Sequence, residues 1–257
     1  MFVDTHCHLH DEAFKCDMEL VQEQMNSCGI SVAIDMACNL DCAKIGKALS
    51  EKYPSNYFGV GFHPSDVDNF IEGDEQKIIE FTSHPKCVAI GEIGLDFYWE
   101  GYDKNKQIDL FTRQLDLAIK TNLPVSVHMR EATKEVVDIL TAYKGKLPAT
   151  GVLHCYAGSV ETAKILLDLG FYISFGGTVT FKNANKILEV AKFVPKDRIL
   201  TETDCPFLAP HPYRGTRNTP HNIPVIVAKL AELRQTEITA LASNIMQNAK
   251  TLFYKIK

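Results

Sequence analysis

The chain has 257 residues, 46% of them hydrophobic and 23% charged, a globular profile with enough apolar material for one large core. Its net charge of −5 argues against a protein that grips duplex DNA through a broad basic face. No apolar run reaches the length of a membrane span and no basic leader with an apolar centre opens the chain, so a cytoplasmic protein with no membrane partner is expected.

Short apolar runs alternate with amphipathic stretches. Residues 2–5 read as the first strand, and Asp17 as the cap of a helix that Gly29 stops. A second strand over 30–36 leads to a helix over 41–52. The third strand, 57–62, ends in Gly61-Phe62-His63-Pro64, and a helix over 75–83 follows. The fourth strand, 87–91, runs into Glu92-Ile93-Gly94-Leu95-Asp96, then a loop over 97–104 and a helix over 106–121. Strands at 124–127, 151–153, 172–175 and 198–201 alternate with helices over 133–143, 160–169 and 183–194. After a Pro-rich loop over 205–224, helices over 225–233 and 237–254 finish the chain, the last with Thr236 as its N-cap. Eight strand-then-helix units in one compositional zone predict a single-domain TIM (β/α)₈ barrel over residues 1–257. A doubly wound open sheet would carry a glycine-rich phosphate loop after its first strand, where this chain has His6-Cys7-His8.

Eight cysteines include no CxxC pair, so spacing gives no support for a structural zinc site, and a disulfide framework belongs to shorter secreted chains. Reduced thiols, mostly buried, are expected.

The polar residues sort by strand. His6 and His8 follow strand one, His63 ends strand three, Glu92 strand four, His128 strand five and His154 strand six, while Asp204 follows strand eight. A barrel gathers these C-terminal strand ends around one mouth. One His at a strand end is ordinarily a hydrogen-bonded structural residue; so many at one end of a barrel point to a metal cluster. Histidines with carboxylates suit divalent ions such as Mg, Mn, Zn, Co or Ni. Six ligands (His6, His8, Glu92, His128, His154 and Asp204) exceed one catalytic zinc site and fit two cations sharing a carboxylate. His10, His84, His211 and His221 lack this placement and read as surface or loop residues. Arg130, Arg214 and Arg217 are anion-binding candidates, with a solvated loop or a salt bridge to barrel acids as the competing reading for the last two. Lys182 reads as a solvated loop lysine.

In order along the chain stand Asp4-Thr5-His6-Cys7-His8-Leu9, Gly61-Phe62-His63-Pro64, Gly91-Glu92-Ile93-Gly94-Leu95-Asp96, Pro124-Val125 with His128 and Arg130, His154-Cys155, Glu202-Thr203-Asp204-Cys205-Pro206, and Pro212-Tyr213-Arg214-Gly215. Together they resemble the TatD family of metal-dependent deoxyribonucleases, within the amidohydrolase-like barrels, over essentially the whole chain. The resemblance implies a divalent-metal hydrolase that cuts phosphodiester bonds and removes nucleotides from DNA 3′ ends, single strands included. It implies that His6, His8 and Asp204 hold one metal and His128 and His154 the other, with Glu92 bridging. His63 and Arg130 would face the substrate phosphate, with Arg214 as a further substrate contact.

The chain departs from the family pattern at His63-Pro64-Ser65, where the family often reads His-Pro-His. His154-Cys155-Tyr156-Ala157-Gly158, Ser174-Phe175-Gly176-Gly177 and Thr201 vary mildly. In the mechanism this suggests, the metals acidify a water that Asp204 orients or deprotonates, while His63 and Arg130 stabilise charge on the phosphate. Glu202 reads either as an acid that orients a ligand from behind or as part of a barrel-interior salt bridge, and Asp96 as a turn acid that is not counted as a ligand. The rival activities are a cyclic amidohydrolase and an aminoacyl-tRNA deacylase; a nucleic-acid-binding module without turnover is a third reading. A monomer is the default expectation.

Overall fold

Eight parallel strands follow the eight apolar runs. The structure, a computed structural model, describes residues 1–101 and 103–257, so residue 102 of the expected 97–104 loop lies outside the described residues. The strands are β1 Phe2–Cys7, β2 Ile30–Met36, β3 Asn56–Val60, β4 Cys87–Asp96, β5 Val125–Arg130, β6 Gly151–Leu153, β7 Tyr172–Phe175 and β8 Ile199–Thr201. They lie side by side in chain order, every neighbouring pair parallel, as a (β/α)₈ barrel requires. The helices are α1 Met18–Ser27, α2 Leu40–Lys52, α3 Asp74–Thr82, α4 Lys104–Thr121, α5 Thr133–Ala142, α6 Val160–Asp168, α7 Asn185–Phe193, α8 Ile223–Leu233 and α9 Ile238–Leu252.

Local chemistry fixes the helix ends. The Asn39 side chain accepts from the amides of Asp41 and Cys42 and starts α2; Asp103 accepts from Asn105 and Lys106 and starts α4. Asn122, at φ 58°, ends α4 in the left-handed turn that closes many helices. The last helix starts after Glu237 instead of Thr236, and the Glu237 side chain makes no capping bond.

Three strands run further than their apolar cores suggest: β1 continues through Cys7, β4 through Asp96 and β5 through Arg130, so His6, Glu92 and His128 lie within strands and not at or beyond their ends. Every residue of β4 is buried, polar Glu92 and Asp96 included, because both faces are covered. Gly94 makes this possible. At φ +143° its Cα lies so close to the His128 backbone that a Cβ would overlap the His128 carbonyl.

The seam between β8 and β1 is held by side chains. Thr5 Oγ1 donates to Thr201 O at 3.0 Å, and Thr201 Oγ1 donates to Val3 O at 3.3 Å. Asp204 N donates to His6 O at 3.0 Å. Helix α9 lies against both strands. No helix among the described residues is long and apolar enough to cross a membrane.

Candidate active site

β1, β4, β5, β6 and the turn after β8 bring His6, His8, Glu92, His128, His154 and Asp204 into one cluster at the barrel mouth. Glu92 sits at its centre, and its two oxygens face different partners. Oε2 lies 3.2 Å from His6 Nε2 and 3.6 Å from His8 Nε2. Oε1 lies 2.8 Å from His128 Nδ1, 2.7 Å from His154 Nε2 and 3.7 Å from His63 Nε2. Asp204 joins the first half, 3.2 Å from His8 Nε2 and 3.9 Å from His6 Nε2. Its backbone is left-handed, φ 56°, a sparsely populated conformation for a non-glycine residue that is typical of functional sites.

The outer bonds of each ring decide what its inner nitrogen offers. His8 Nδ1 is 2.9 Å from Met36 O, and a carbonyl can only accept, so Nδ1 carries the proton. Neutral His8 therefore aims a lone pair from Nε2 at two carboxylates. His6 Nδ1 bonds Ser126 Oγ at 3.1 Å, and its buried Nε2 has no hydrogen-bond partner among the described residues. His128 Nε2 is 3.2 Å from Asp96 Oδ2, and His154 Nδ1 is 3.6 Å from Glu202 Oε1. Lone pairs facing carboxylate oxygens repel unless a cation lies between them. Four imidazoles and two carboxylates held this way fit divalent cations, with Asp96 and Glu202 as the outer carboxylates that orient the rings.

Electrostatics carry the same demand for positive charge. Burial would raise the Glu92 carboxyl, but His154, His63, His6 and the His128 hydrogen bond hold it well below the usual range. Burial would depress His154, yet Glu92 and Glu202 push it well above its ordinary value. His8 and His128 are raised in the same sense against burial, by Asp204 with Glu92 and by Asp96 with Glu92 respectively.

His63 differs. Burial depresses it to about 4, with Glu92 opposing, so the ring is neutral at pH 7. Ser65 N donates to His63 Nδ1 at 3.1 Å, and Ser65 Oγ lies 2.6 Å from the same atom. Nδ1 is thereby an acceptor, and the proton sits on Nε2, facing the cluster. Ser65, which stands where the family pattern often has a second histidine, sets the tautomer of the first.

Arg130 is on the rim, 4.0 Å from Asp96, with its guanidinium 3.8 Å above the Tyr98 ring and 5.4 Å from the Trp99 ring. Tyr98, Trp99 and Phe207 are more than half exposed around the mouth. They were not signalled by the sequence, because an exposed aromatic in a loop has no periodicity. Arg214 lies 4.0 Å above Phe181 and lines a cavity of about 500 Å³ with Lys182 and His211. Arg217 is bound to Asp17 Oδ1 at 2.9 Å and to Ala13 O, which favours the salt-bridge reading over anion binding.

Three expectations are corrected. His10 lies in a turn, as expected of a loop residue, but it is not at the surface: its side chain is 7% exposed and Nδ1 is 2.7 Å from Asp35 Oδ1. Asp96 is no simple turn acid, since it is buried at the end of β4 against His128. All eight cysteines are free, but only Cys7, Cys87 and Cys205 are fully buried.

The profile of the family described as TatD related DNase matches residues 3–254. The chain is 41% identical to YabD of Bacillus subtilis, described as an uncharacterized metal-dependent hydrolase, over 98% of this chain and 99% of the relative. It is 34% identical to a relative described in the same words, YcfH of Escherichia coli K12, over 98% and 95%. Among solved structures, YjjV, a TatD homolog from Escherichia coli K12, superposes with a TM-score of 0.93 at 31% identity, covering 98% of each chain. Family profile, relatives and fold agree with the cluster of histidines and carboxylates: the chain belongs to the TatD family of metal-dependent hydrolases.

Proposed function

We propose that the protein is a deoxyribonuclease that hydrolyses phosphodiester bonds from DNA 3′ ends, with two divalent cations. His6, His8 and Asp204 would hold one cation and His128 and His154 the other, with Glu92 shared between the two sets. The observation that carries the two-cation reading is the division of Glu92, Oε2 toward the β1 histidines and Oε1 toward His128 and His154. When bound, such cations supply Lewis acidity toward a phosphate oxygen and acidify water.

The chain's own residues do the rest. Asp204 orients the attacking water and accepts its proton. His63 Nε2–H, neutral and pinned by Ser65, donates to a phosphate oxygen as charge builds there. Arg130 offers a guanidinium fork to the phosphate. Exposed Tyr98, Trp99 and Phe207 give unpaired bases a surface to stack on, and base–aromatic stacking contributes roughly 1–3 kcal/mol per base. These aromatics beside a rim arginine support a single-stranded end over a cyclic amide. An acidic protein holding only a strand end needs no broad basic face.

The test is side-by-side turnover, in Mg²⁺ or Mn²⁺, of 3′-labelled and 5′-labelled single-stranded DNA, aminoacyl-tRNA and a dihydropyrimidine. Early release of the 3′ label supports the reading. Preferred turnover of the ester or the cyclic amide, with DNA untouched, sinks it.

A further inference from the structure

The loops after β7 and β8 are clamped to each other. A Cβ on Gly177 would overlap Leu208 O. His211 N donates to Thr180 Oγ1 at 2.7 Å, and that hydroxyl donates in turn to Gly177 O at 2.7 Å. Phe181, Lys182 and Asn183 from the first loop and His211 and Arg214 from the second line the cavity of about 500 Å³.

The charge of this cavity is one-sided. Lys182, Arg214 and the His211 imidazole line it, and no carboxylate does, on a chain whose net charge is −5. Nearby arginines show the alternative: Arg217 is tied to Asp17 Oδ1 at 2.9 Å, and Arg198 to Asp197 Oδ2 at 3.1 Å. Among the described residues, no carboxylate pairs with Lys182 or Arg214. The Arg214 guanidinium lies 4.0 Å from the centre of the Phe181 ring. That cation–π contact steadies the group and leaves its N–H donors unspent.

The cavity shares an end of the barrel with the hydrolytic cluster. The stretch after β8 first supplies Asp204, then sets the Phe207 ring 6.2 Å from the His8 ring, then reaches His211 and Arg214. Asn218 closes this stretch on itself. Its Nδ2 donates to Thr203 O at 2.8 Å and to Phe207 O at 2.7 Å, and its backbone N donates to Pro206 O at 3.0 Å. Tyr98, Trp99 and Arg130 stand across the mouth, in the loop after β4 and at the end of β5. A strand whose scissile phosphate sits at Glu92 therefore has the aromatic rim on one side and the basic cavity on the other. When the terminal nucleotide is removed from a 3′ end, every further phosphate lies on the 5′ side of the bond that is cut.

Resting on the reading of this protein as a 3′-end nuclease, we propose that the cavity is a subsite for one further phosphate of the substrate, 5′ to the scissile bond. Arg214 meets it with its guanidinium fork, Lys182 adds a second charge and His211 a ring N–H. The loops after the seventh and eighth strands of a (β/α)₈ barrel frequently form a phosphate site. The subsite makes an oligonucleotide a better substrate than a dinucleoside monophosphate, whose single phosphate is the one attacked.

The test uses the full chain in Mn²⁺ with a fluorescent octathymidylate whose phosphorothioate links resist hydrolysis, so binding is read whether or not the protein cuts DNA. Anisotropy gives Kd over a range of salt. Each phosphate neutralised on a single strand contributes about −0.7 to the slope of log K against log salt. Arg214→Gln/Lys182→Gln should bind at least about tenfold more weakly, with a slope shallower by about 0.7. Lys192→Gln, at the other end of α7, should match wild type. In turnover, the ratio of kcat/KM on octathymidylate to kcat/KM on a dinucleoside monophosphate should fall about tenfold in the double variant, through KM. Binding that the double variant loses as expected, with no DNA of any length cut, would sink the nuclease reading and leave the phosphate subsite standing. Equal slopes in wild type and double variant, an equal effect of Lys192→Gln, or no binding by wild type would overturn the subsite, whatever is cut.

Discussion

His63 shows how one ring is prepared for a charged partner. It is kept neutral by burial and turned by Ser65, so that its single proton points into the cluster. Removing the Ser65 hydroxyl leaves the backbone donor in place, so Ser65→Ala should lower kcat/KM only about fivefold, the worth of one ordinary hydrogen bond near 1 kcal/mol. His63→Ala should cost far more. The ring also leaves a signature in acid. An unfolded histidine takes up its proton near pH 6.5, whereas folded His63 resists down to about 4. Between those values the unfolded chain binds more protons, so His63 makes the metal-free protein less stable as the pH falls through this window. Thermal unfolding of metal-free His63→Asn should therefore show a smaller loss of Tm from pH 7 to pH 5 than wild type. Types and order of residues were enough to nominate His63, but its tautomer was not legible, because it is set by the backbone N–H of Ser65, which any residue at that position carries and only the fold aims at Nδ1. His10 was misjudged for a related reason: Asp35, 25 positions away, supplies the partner that buries it.

At the scale of elements, the alternation of apolar runs and amphipathic stretches was enough to count the strands and helices. It underestimated β4 and β5, because polar Glu92, Asp96, His128 and Arg130 look like turn residues until both faces of the strands are seen to be covered. The end of β2 and the turn after it gave no signal at all, since there the carbonyls of Met36, Ala37 and Cys38 accept from His8 Nδ1, Glu92 N and His63 N, bonds that any side chain would leave unchanged. Helix α2 presses close behind that turn. A Cβ on Gly46 would lie 2.9 Å from Asp35 Oδ2 and 3.2 Å from Phe58 Cβ. Alanine is normally the better helix former, yet Gly46→Ala should destabilise the protein by about 1–3 kcal/mol through overpacking. Urea unfolding would show a lower midpoint at unchanged m-value; a variant as stable as wild type would mean that α2 can move away from β2 and β3.

For the whole molecule, closure of the barrel and assembly of the site are one event. Asp204 reaches His8 from the far end of the chain, and the β8–β1 seam is held by Thr5, Thr201 and the bond from Asp204 N to His6 O. Cations that bind only the assembled mouth must therefore stabilise the fold. At a free concentration a hundredfold above Kd, one binding site contributes about 2.7 kcal/mol. At roughly 2–4 °C per kcal/mol for a chain of this size, Tm should rise by about 5–10 °C. Chelation should reverse the rise, and Glu92→Gln should largely remove it. The central claim is that Glu92 joins two cations into one hydrolytic centre. The most direct measurement is nucleotide release from 3′-labelled single-stranded DNA as metal-free protein is titrated with Mn²⁺. The account predicts activity that rises to a plateau at two equivalents per chain, vanishes with chelator and falls at least about a hundredfold in Glu92→Gln. Full activity at one equivalent, in chelator or in the variant would contradict it.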